Sequence, residues 1–159
     1  MSIKSFLQDL NQAFQEKEEE KRKRDELAQQ RDKERKAFYE LYSNSYNNGI
    51  VKKIKKLEKE MKEDFKVRYK EAPTKSSSNS LEGNIMFQPK FVSEVYEVRV
   101  AVRGNYKEKT LSVTGIATYR LSAKHKAPIE VFNDDIQLFD PEQTEDYITT
   151  ILRYFFIKE

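Results

Sequence analysis

The chain's single histidine, His125, is its one side chain that ordinarily titrates near neutral pH, and there is no cysteine. One histidine and no thiolate leave no two-histidine or cysteine-based metal site. His125 lies between Lys124 and Lys126 in a polar connection, which is typical of an exposed loop residue. We therefore predict no catalytic residue and no metal site.

Carboxylates offer the other route to acid–base or metal chemistry, and Asp134, Asp135 and Asp140 are close in sequence. Their spacing matches no metal-binding loop, so a strand bulge at 133–135 is the simpler interpretation. Four glycines in the whole chain leave no glycine-rich phosphate loop. We expect no enzymatic activity, no cofactor and no small-molecule ligand.

Basic residues concentrate between positions 50 and 62, where six lysines oppose only Glu58 and Glu60. With the aromatic residues just before them, these lysines are candidates for a nucleic-acid surface, and less so for an anionic membrane surface. The simpler interpretation is that they form the solvated side of a packed helix, because most of them fall outside the apolar seam. This lysine face comprises Lys52, Lys53, Lys55, Lys56, Lys59 and Lys62.

An apolar stripe near the N-terminus is the strongest candidate for binding a protein. It is followed by residues 15–36, of which 17 of 22 are charged, so a straight helix would carry it about 30 Å from the next apolar residues. We predict a docking site for a partner helix, for self-association or, less favoured, for a membrane surface. A chain that bends back is the alternative. The docking tip comprises Ile3, Phe6, Leu7, Leu10 and Phe14.

The elements that position these residues divide the 159-residue chain in two. Residues 1–72 are rich in charge and read as a helical arm or hairpin, and residues 85–159 are richer in apolar residues. Between them, the Ser- and Asn-rich stretch 73–84 predicts a flexible linker. Overall, 36% of the residues are charged, for a net charge of +3.

Two helical patterns occupy the first part. The stretch 44–49, with three asparagines and a glycine, predicts a break between them. Apolar residues after the break form a narrow helix seam that resembles a short coiled coil. We expect a long helix or a hairpin, with pairing to another protein's helix as the alternative. The helix seam comprises Ile54, Leu57, Met61 and Phe65.

The second part alternates apolar and polar residues, which is typical of strands. We predict strands near 92–103, 110–121 and 129–139, a further short strand at 85–87, and a turn at Gly104-Asn105. Val92 and Tyr96 should share the inner face of the first strand with Val98, Val100 and Val102. Asp140-Pro141 is typical of a helix start, so a helix should cover the sheet.

These patterns predict an α+β protein in which a three- to four-stranded antiparallel meander is covered by a C-terminal helix. Our leading interpretation is a soluble, cytoplasmic, non-catalytic interaction or assembly protein that docks through its N-terminal helix. The second is a nucleic-acid-binding protein that uses the lysine face. The third is a small-ligand or enzymatic domain with a pocket between a curved sheet and the helix.

Overall fold

The computed structural model describes residues 2–70, 74–77, 80–121 and 124–157. It is an α+β protein, as the sequence predicts, with a long N-terminal helix, an antiparallel sheet and a C-terminal helix. The helical elements are α1 (Ile3–Ser43), a π-helix (Asn44–Val51), α2 (Lys52–Met61), two 3-10 turns (Ile136–Leu138 and Pro141–Gln143) and α3 (Thr144–Phe156). The strands are β1 (Phe65–Tyr69), β2 (Thr74–Ser77), β3 (Ser80–Pro89), β4 (Val95–Asn105), β5 (Thr110–Tyr119) and β6 (Ile129–Asp135).

A π-helix replaces the break predicted at 44–49. The residues at both of its junctions, Ser43 and Lys52, have helical backbone angles, so of the two arrangements predicted the structure shows the long helix and not the hairpin. The buried side chains here recur every four residues. An α-helix has 3.6 residues per turn, so side chains at this spacing would move progressively around it. Wider i→i+5 turns keep such residues closer to one face. The residues in question are Phe38, Tyr42, Tyr46, Ile50 and Ile54.

The sheet has more strands than the sequence predicts. Among the described residues its order is β1-β3-β4-β5-β6, and β2 also pairs with β3. The sheet therefore has five strand positions, not three or four, because β1 and β2 share one edge of β3. β1 alternates apolar and basic residues strictly, whereas β2 (Thr-Lys-Ser-Ser) has no apolar pattern. Pairing with β3 supplies their backbone hydrogen bonds.

The part of the predicted linker that the structure describes lies in strands. Residues 74–77 form β2, and residues 80–84 are paired with β4 as part of β3. Residues 73, 78 and 79 lie outside the described residues. The chain forms two compact units, 1–37 and 38–159, which divide inside α1.

A bulge shifts the register of β4 and moves two of its predicted inner residues outward. Pairing with β5 changes register between Val95 and Glu97, so Val95 is buried and Tyr96 is exposed. Val92 lies before the strand and is fully exposed. Val98, Val100 and Val102 are buried as predicted.

The turn after β4 also falls later than predicted, because β4 continues through Gly104 and Asn105. The turn is formed by residues 106–109. In it the Asn105 side chain accepts a hydrogen bond from the Glu108 N–H (3.2 Å), and Lys109 has a positive φ of 56°. Gly104 has a role other than forming the turn. A Cβ at this position would lie 2.6 Å from the Tyr42 ring, so glycine is required there.

The C-terminal elements follow the predicted signals closely. The carboxylate of Asp140 accepts a hydrogen bond from the Glu142 N–H (3.0 Å), which caps a 3-10 turn that leads into α3. Ile148, Ile151 and Phe155 form the buried face of α3, which packs on β4, β5 and β6. The third predicted strand ends early, at Asp135, whose side chain caps the next 3-10 turn.

The core lies between the sheet and the helices of the 38–159 unit. Glycines in the strands let side chains from the helices approach the backbone closely: a Cβ at Gly83 would lie 2.4 Å from the Tyr46 ring, and one at Gly115 would lie 2.4 Å from Ile151. The Tyr42 hydroxyl donates to the Val102 carbonyl (2.6 Å) and the Tyr46 hydroxyl to the Lys70 carbonyl (3.0 Å). These contacts hold the helix on the sheet.

Candidate functional site

The docking tip lies in the first three turns of α1. Ser2 caps this helix end, since its side-chain oxygen accepts a hydrogen bond from the Ser5 N–H (3.2 Å). All five apolar residues of the tip are exposed, from 39% for Leu10 to 78% for Ile3. Because they recur every three or four residues, they lie on one side of the helix and form a continuous apolar surface.

The rest of the 1–37 unit is also exposed, at every residue from 2 to 37. Three ion pairs link side chains one turn apart: Arg22 with Glu19 (3.7 Å), Arg22 with Glu26 (3.9 Å) and Lys23 with Glu19 (4.0 Å). Pairs of this kind stabilise a solvated helix by about 0.2–0.5 kcal/mol each. The charged middle of this unit therefore has no apolar face to bury, and among residues 2–37 the large apolar side chains cluster at the tip alone.

The lysine face lies on the solvent side of α2, opposite Ile54. Its lysines are exposed except for Lys53, which is half-buried and forms an ion pair with Glu142 (3.0 Å). A second contact is made at the end of the helix, where the Lys90 side chain donates to the Lys62 carbonyl. The exposed lysines that share this side are Lys52, Lys55, Lys56, Lys59 and Lys62.

The helix seam is part of the core of the 38–159 unit. Ile54 is buried, and Leu57 and Met61 are half-buried against the same core. Phe65 is not helical, because it begins β1, where it meets the rings of Phe87 (6.5 Å) and Phe156 (5.3 Å) edge-on. The seam residues thus pack within their own unit.

A cavity of about 470 Å³ between α2 and α3 was not anticipated in this position. The rings of Phe65, Phe91 and Phe156 form one wall and meet edge-on at 5.3–5.6 Å. Its lining also includes four charged residues, Glu60, Asp64, Glu145 and Arg153. The third interpretation placed a pocket between a curved sheet and the helix; this cavity lies between α2 and α3, with Phe65 of β1 in its wall. In the sequence, this cavity could have been suspected from Phe91, an apolar residue in the polar loop after β3.

The residues considered for acid–base or metal chemistry have structural contacts. The His125 ring stacks on Tyr119, with centroids 4.5 Å apart. Asp134 accepts from the Asp135 N–H (2.7 Å), and Asp135 accepts from the Gln137 N–H (2.8 Å). Within the described ranges, no three His, Cys, Asp or Glu side chains come together in a way that could hold a metal ion.

Burial raises the pKa of three tyrosines in the described part of the 38–159 unit. Burial raises the pKa of Tyr42 well above its usual value and raises that of Tyr46 to about 12. Partial burial and the carboxylates of Asp140 and Asp146 raise the pKa of Tyr147. All three tyrosines therefore stay uncharged at neutral pH, and the first two act as hydrogen-bond donors to backbone carbonyls.

No protein-family model, curated protein or solved structure matches this chain. Its function therefore has to be inferred from its own surfaces. None of the helices among the described residues combines the length and the apolar composition needed to cross a bilayer.

Proposed function

We propose that this protein is a non-catalytic interaction or assembly protein that binds a protein partner through the docking tip of α1. One observation carries the proposal: five large apolar side chains lie together on one side of a capped helix, and all of them are exposed. A contiguous exposed apolar surface marks an interaction site more often than scattered apolar residues do.

The size of the tip suits helix docking. Fully burying a Leu, Ile or Phe side chain contributes about 1.5–3 kcal/mol. The five side chains are 39–78% exposed, so covering them would contribute part of that energy for each residue, from which the loss of freedom on binding is subtracted. The spacing of Ile3, Leu7 and Leu10 is that of helices that bind an apolar groove or another helix.

Affinity purification from the native host tests this proposal. The variant Leu7→Asp/Leu10→Asp places two charges in the tip and should lose the partners that the wild type retains. Gln8→Asp/Gln15→Asp adds the same two charges on the opposite side of the same turns, so it should retain them. Identical partners for the wild type and the Leu7→Asp/Leu10→Asp variant would contradict the proposal.

A second candidate function is nucleic-acid binding by the lysine face. It is favoured by the placement of five exposed lysines on one side of α2. If they contact phosphates, the logarithm of the affinity for DNA should fall with the logarithm of the salt concentration, with a slope of about −0.9 per contact. Fluorescence anisotropy with a labelled duplex measures this slope. Docking by the apolar tip is far less sensitive to salt.

A further inference from the structure

The cavity between α2 and α3 has an apolar interior. Eight of its thirteen lining residues are apolar, and the three phenylalanine rings of its wall lie at angles of 68–85° to one another. Phe91 and Ile157 are 44% and 54% exposed, so part of this apolar surface is open to solvent. The volume of about 470 Å³ falls within the range of about 300–1,000 Å³ that is typical of small-molecule sites.

Three carboxylates border this apolar interior. Glu60 belongs to α2, Asp64 to the turn before β1, and Glu145 to the first turn of α3. In the part of the chain that the structure describes, none of the three forms an ion pair with a basic side chain. The chain as a whole has a net charge of +3, so its overall composition does not account for an acidic border here.

One basic residue, Arg153, is present among the described residues that line this cavity. It also borders a second cavity of about 500 Å³, which Lys126 lines as well. Carboxylates therefore outnumber basic groups three to one around the phenylalanine rings. A cation is favoured there over an anion, because opposite charges attract at short range.

The three carboxylates do not form a metal site. Within the described residues, no three His, Cys, Asp or Glu side chains come together in a way that could hold a metal ion. A ligand that suits both the acidic border and the apolar interior has an apolar body that carries an ammonium group. The aromatic wall favours the same ligand, because the face of an aromatic ring attracts an ammonium group.

We propose that this cavity binds a small organic cation, an amine or a quaternary ammonium compound with an apolar body. The apolar body occupies the interior beside the phenylalanine rings, and the ammonium group lies near the carboxylates of the border. The sequence alone predicts no such ligand, because the fold brings these residues together from distant positions. The cavity contains no residue of the docking tip, so this inference does not depend on the proposed function.

Three probes with one apolar body test the preference for a cation. Phenylbutylamine, phenylbutanol and phenylbutyrate are cationic, neutral and anionic at neutral pH. In isothermal titration calorimetry with the full chain, the amine should bind about threefold to thirtyfold more tightly than the alcohol, and the acid should bind most weakly. Equal affinities for the amine and the alcohol would overturn the proposal, as would no measurable binding of the amine.

The methionine methyl groups report where the amine binds. Met61 lines the cavity, whereas Met86 lies on β3 outside it. In methyl NMR spectra of protein with isotope-labelled methionine, phenylbutylamine should shift the Met61 signal and leave the Met86 signal in place. Any other pattern would place the ligand elsewhere and overturn the proposal.

Two matched variants test the carboxylates. Asp64→Asn/Glu145→Gln removes two charges from the border and should bind phenylbutylamine about threefold to thirtyfold more weakly than the wild type. Glu63→Gln/Asp146→Asn removes two charges from adjacent positions that do not line the cavity, so it should bind like the wild type. All four side chains are exposed, so both variants should fold. Equal affinities of the two variants would contradict a role for the border.

Arg153 provides a test of the opposite sign. Arg153→Gln removes the positive charge from the border, so phenylbutylamine should bind about twofold to fivefold more tightly. Damage to the cavity would weaken binding instead, and near-UV circular dichroism shows whether the variant is still folded. Weaker binding by a folded Arg153→Gln variant would overturn the proposed role of charge.

Discussion

Two stretches of one continuous helix use apolar residues at similar spacing and differ in what covers them. Residues 3–14 carry the docking tip, in which every side chain is exposed. Residues 38–54 carry Phe38, Tyr42 and Tyr46, all of which are buried on the sheet. Phe38 and Tyr42 also fall on the steps of three and four residues that relate the residues of the tip. The two stretches therefore have a similar apolar spacing. The sheet covers the second stretch, whereas the apolar side chains of the first stretch are exposed.

The sheet that covers residues 38–54 also explains the local structure of the helix there. On the sheet, glycines at 83 and 104 accept two tyrosine rings, and the π-helix adjusts the turn so that both rings meet them. In the 1–37 unit the helix is regular and its ion pairs are formed within it. The solvated stretch therefore keeps regular helical geometry, whereas the stretch on the sheet is distorted to fit it.

The largest expected effect comes from comparing two phenylalanines of the same helix. Phe38→Ala should destabilise the fold by about 3–5 kcal/mol, because Phe38 is 3% exposed and its removal leaves a cavity. Phe14→Ala should change stability by less than about 0.5 kcal/mol, because that ring is 57% exposed. Urea unfolding followed by the near-UV circular dichroism of the tyrosines measures both. Equal losses would show that the tip is part of the same core.

Much of the fold could be predicted because its signals are local. The cap at Asp140 and the spacing of Ile148, Ile151 and Phe155 predict α3, and the alternation after Val95 predicts most of β4. β1 had a local signal, because Phe65–Tyr69 alternates apolar and basic residues, but the helical interpretation overrode it; β2 has no such signal and is defined by its pairing with β3. Phe65 even fits the helical spacing of Ile54 and Met61.

The π-helix was missed for a related reason. Asn47, Asn48 and Gly49 favour a turn in isolation, whereas the buried residues spaced by four favour a continued helix once a sheet is present to receive them. In the site, the exposure of the tip residues could be predicted because the charges after them leave them isolated.

A smaller effect should follow from filling the space between the helix and the sheet. Gly104→Ala would place a methyl group 2.6 Å from the Tyr42 ring, which cannot tilt freely because its hydroxyl is bound to the Val102 carbonyl. We expect a loss of about 1–3 kcal/mol in urea unfolding.

Tyr42→Leu provides the control for this prediction, because it removes the ring that the new methyl group would meet. Gly104→Ala should then cost less in the Tyr42→Leu background than in the wild type. Equal losses of stability in the two backgrounds would show that contact with the Tyr42 ring does not cause the effect of Gly104→Ala.

The smallest effect is a pH dependence confined to the buried stretch. Burial raises the pKa of Tyr46 to about 12, above its ordinary value of 10.0. Below pH 10 the hydroxyl is neutral in both the folded and the unfolded chain, so its contribution to stability is fully present. As the pH rises from 10 towards 12, the unfolded chain loses the proton first. Tyr46 should therefore reduce the free energy of unfolding by up to about 1.4 kcal/mol per pH unit in that range.

Tyr46→Phe keeps the ring stacked on Tyr42, with centroids 5.9 Å apart in the wild type, and removes only the hydroxyl. At pH 8 the variant should be less stable by about 0.5–1.5 kcal/mol, because the Lys70 carbonyl loses its hydrogen bond. Above pH 10 the difference should shrink and then reverse, since the variant has no proton to lose there. Titrating lysines affect both proteins equally and cancel in the difference. Parallel stability curves from pH 8 to 12 would mean that burial does not raise the pKa of Tyr46.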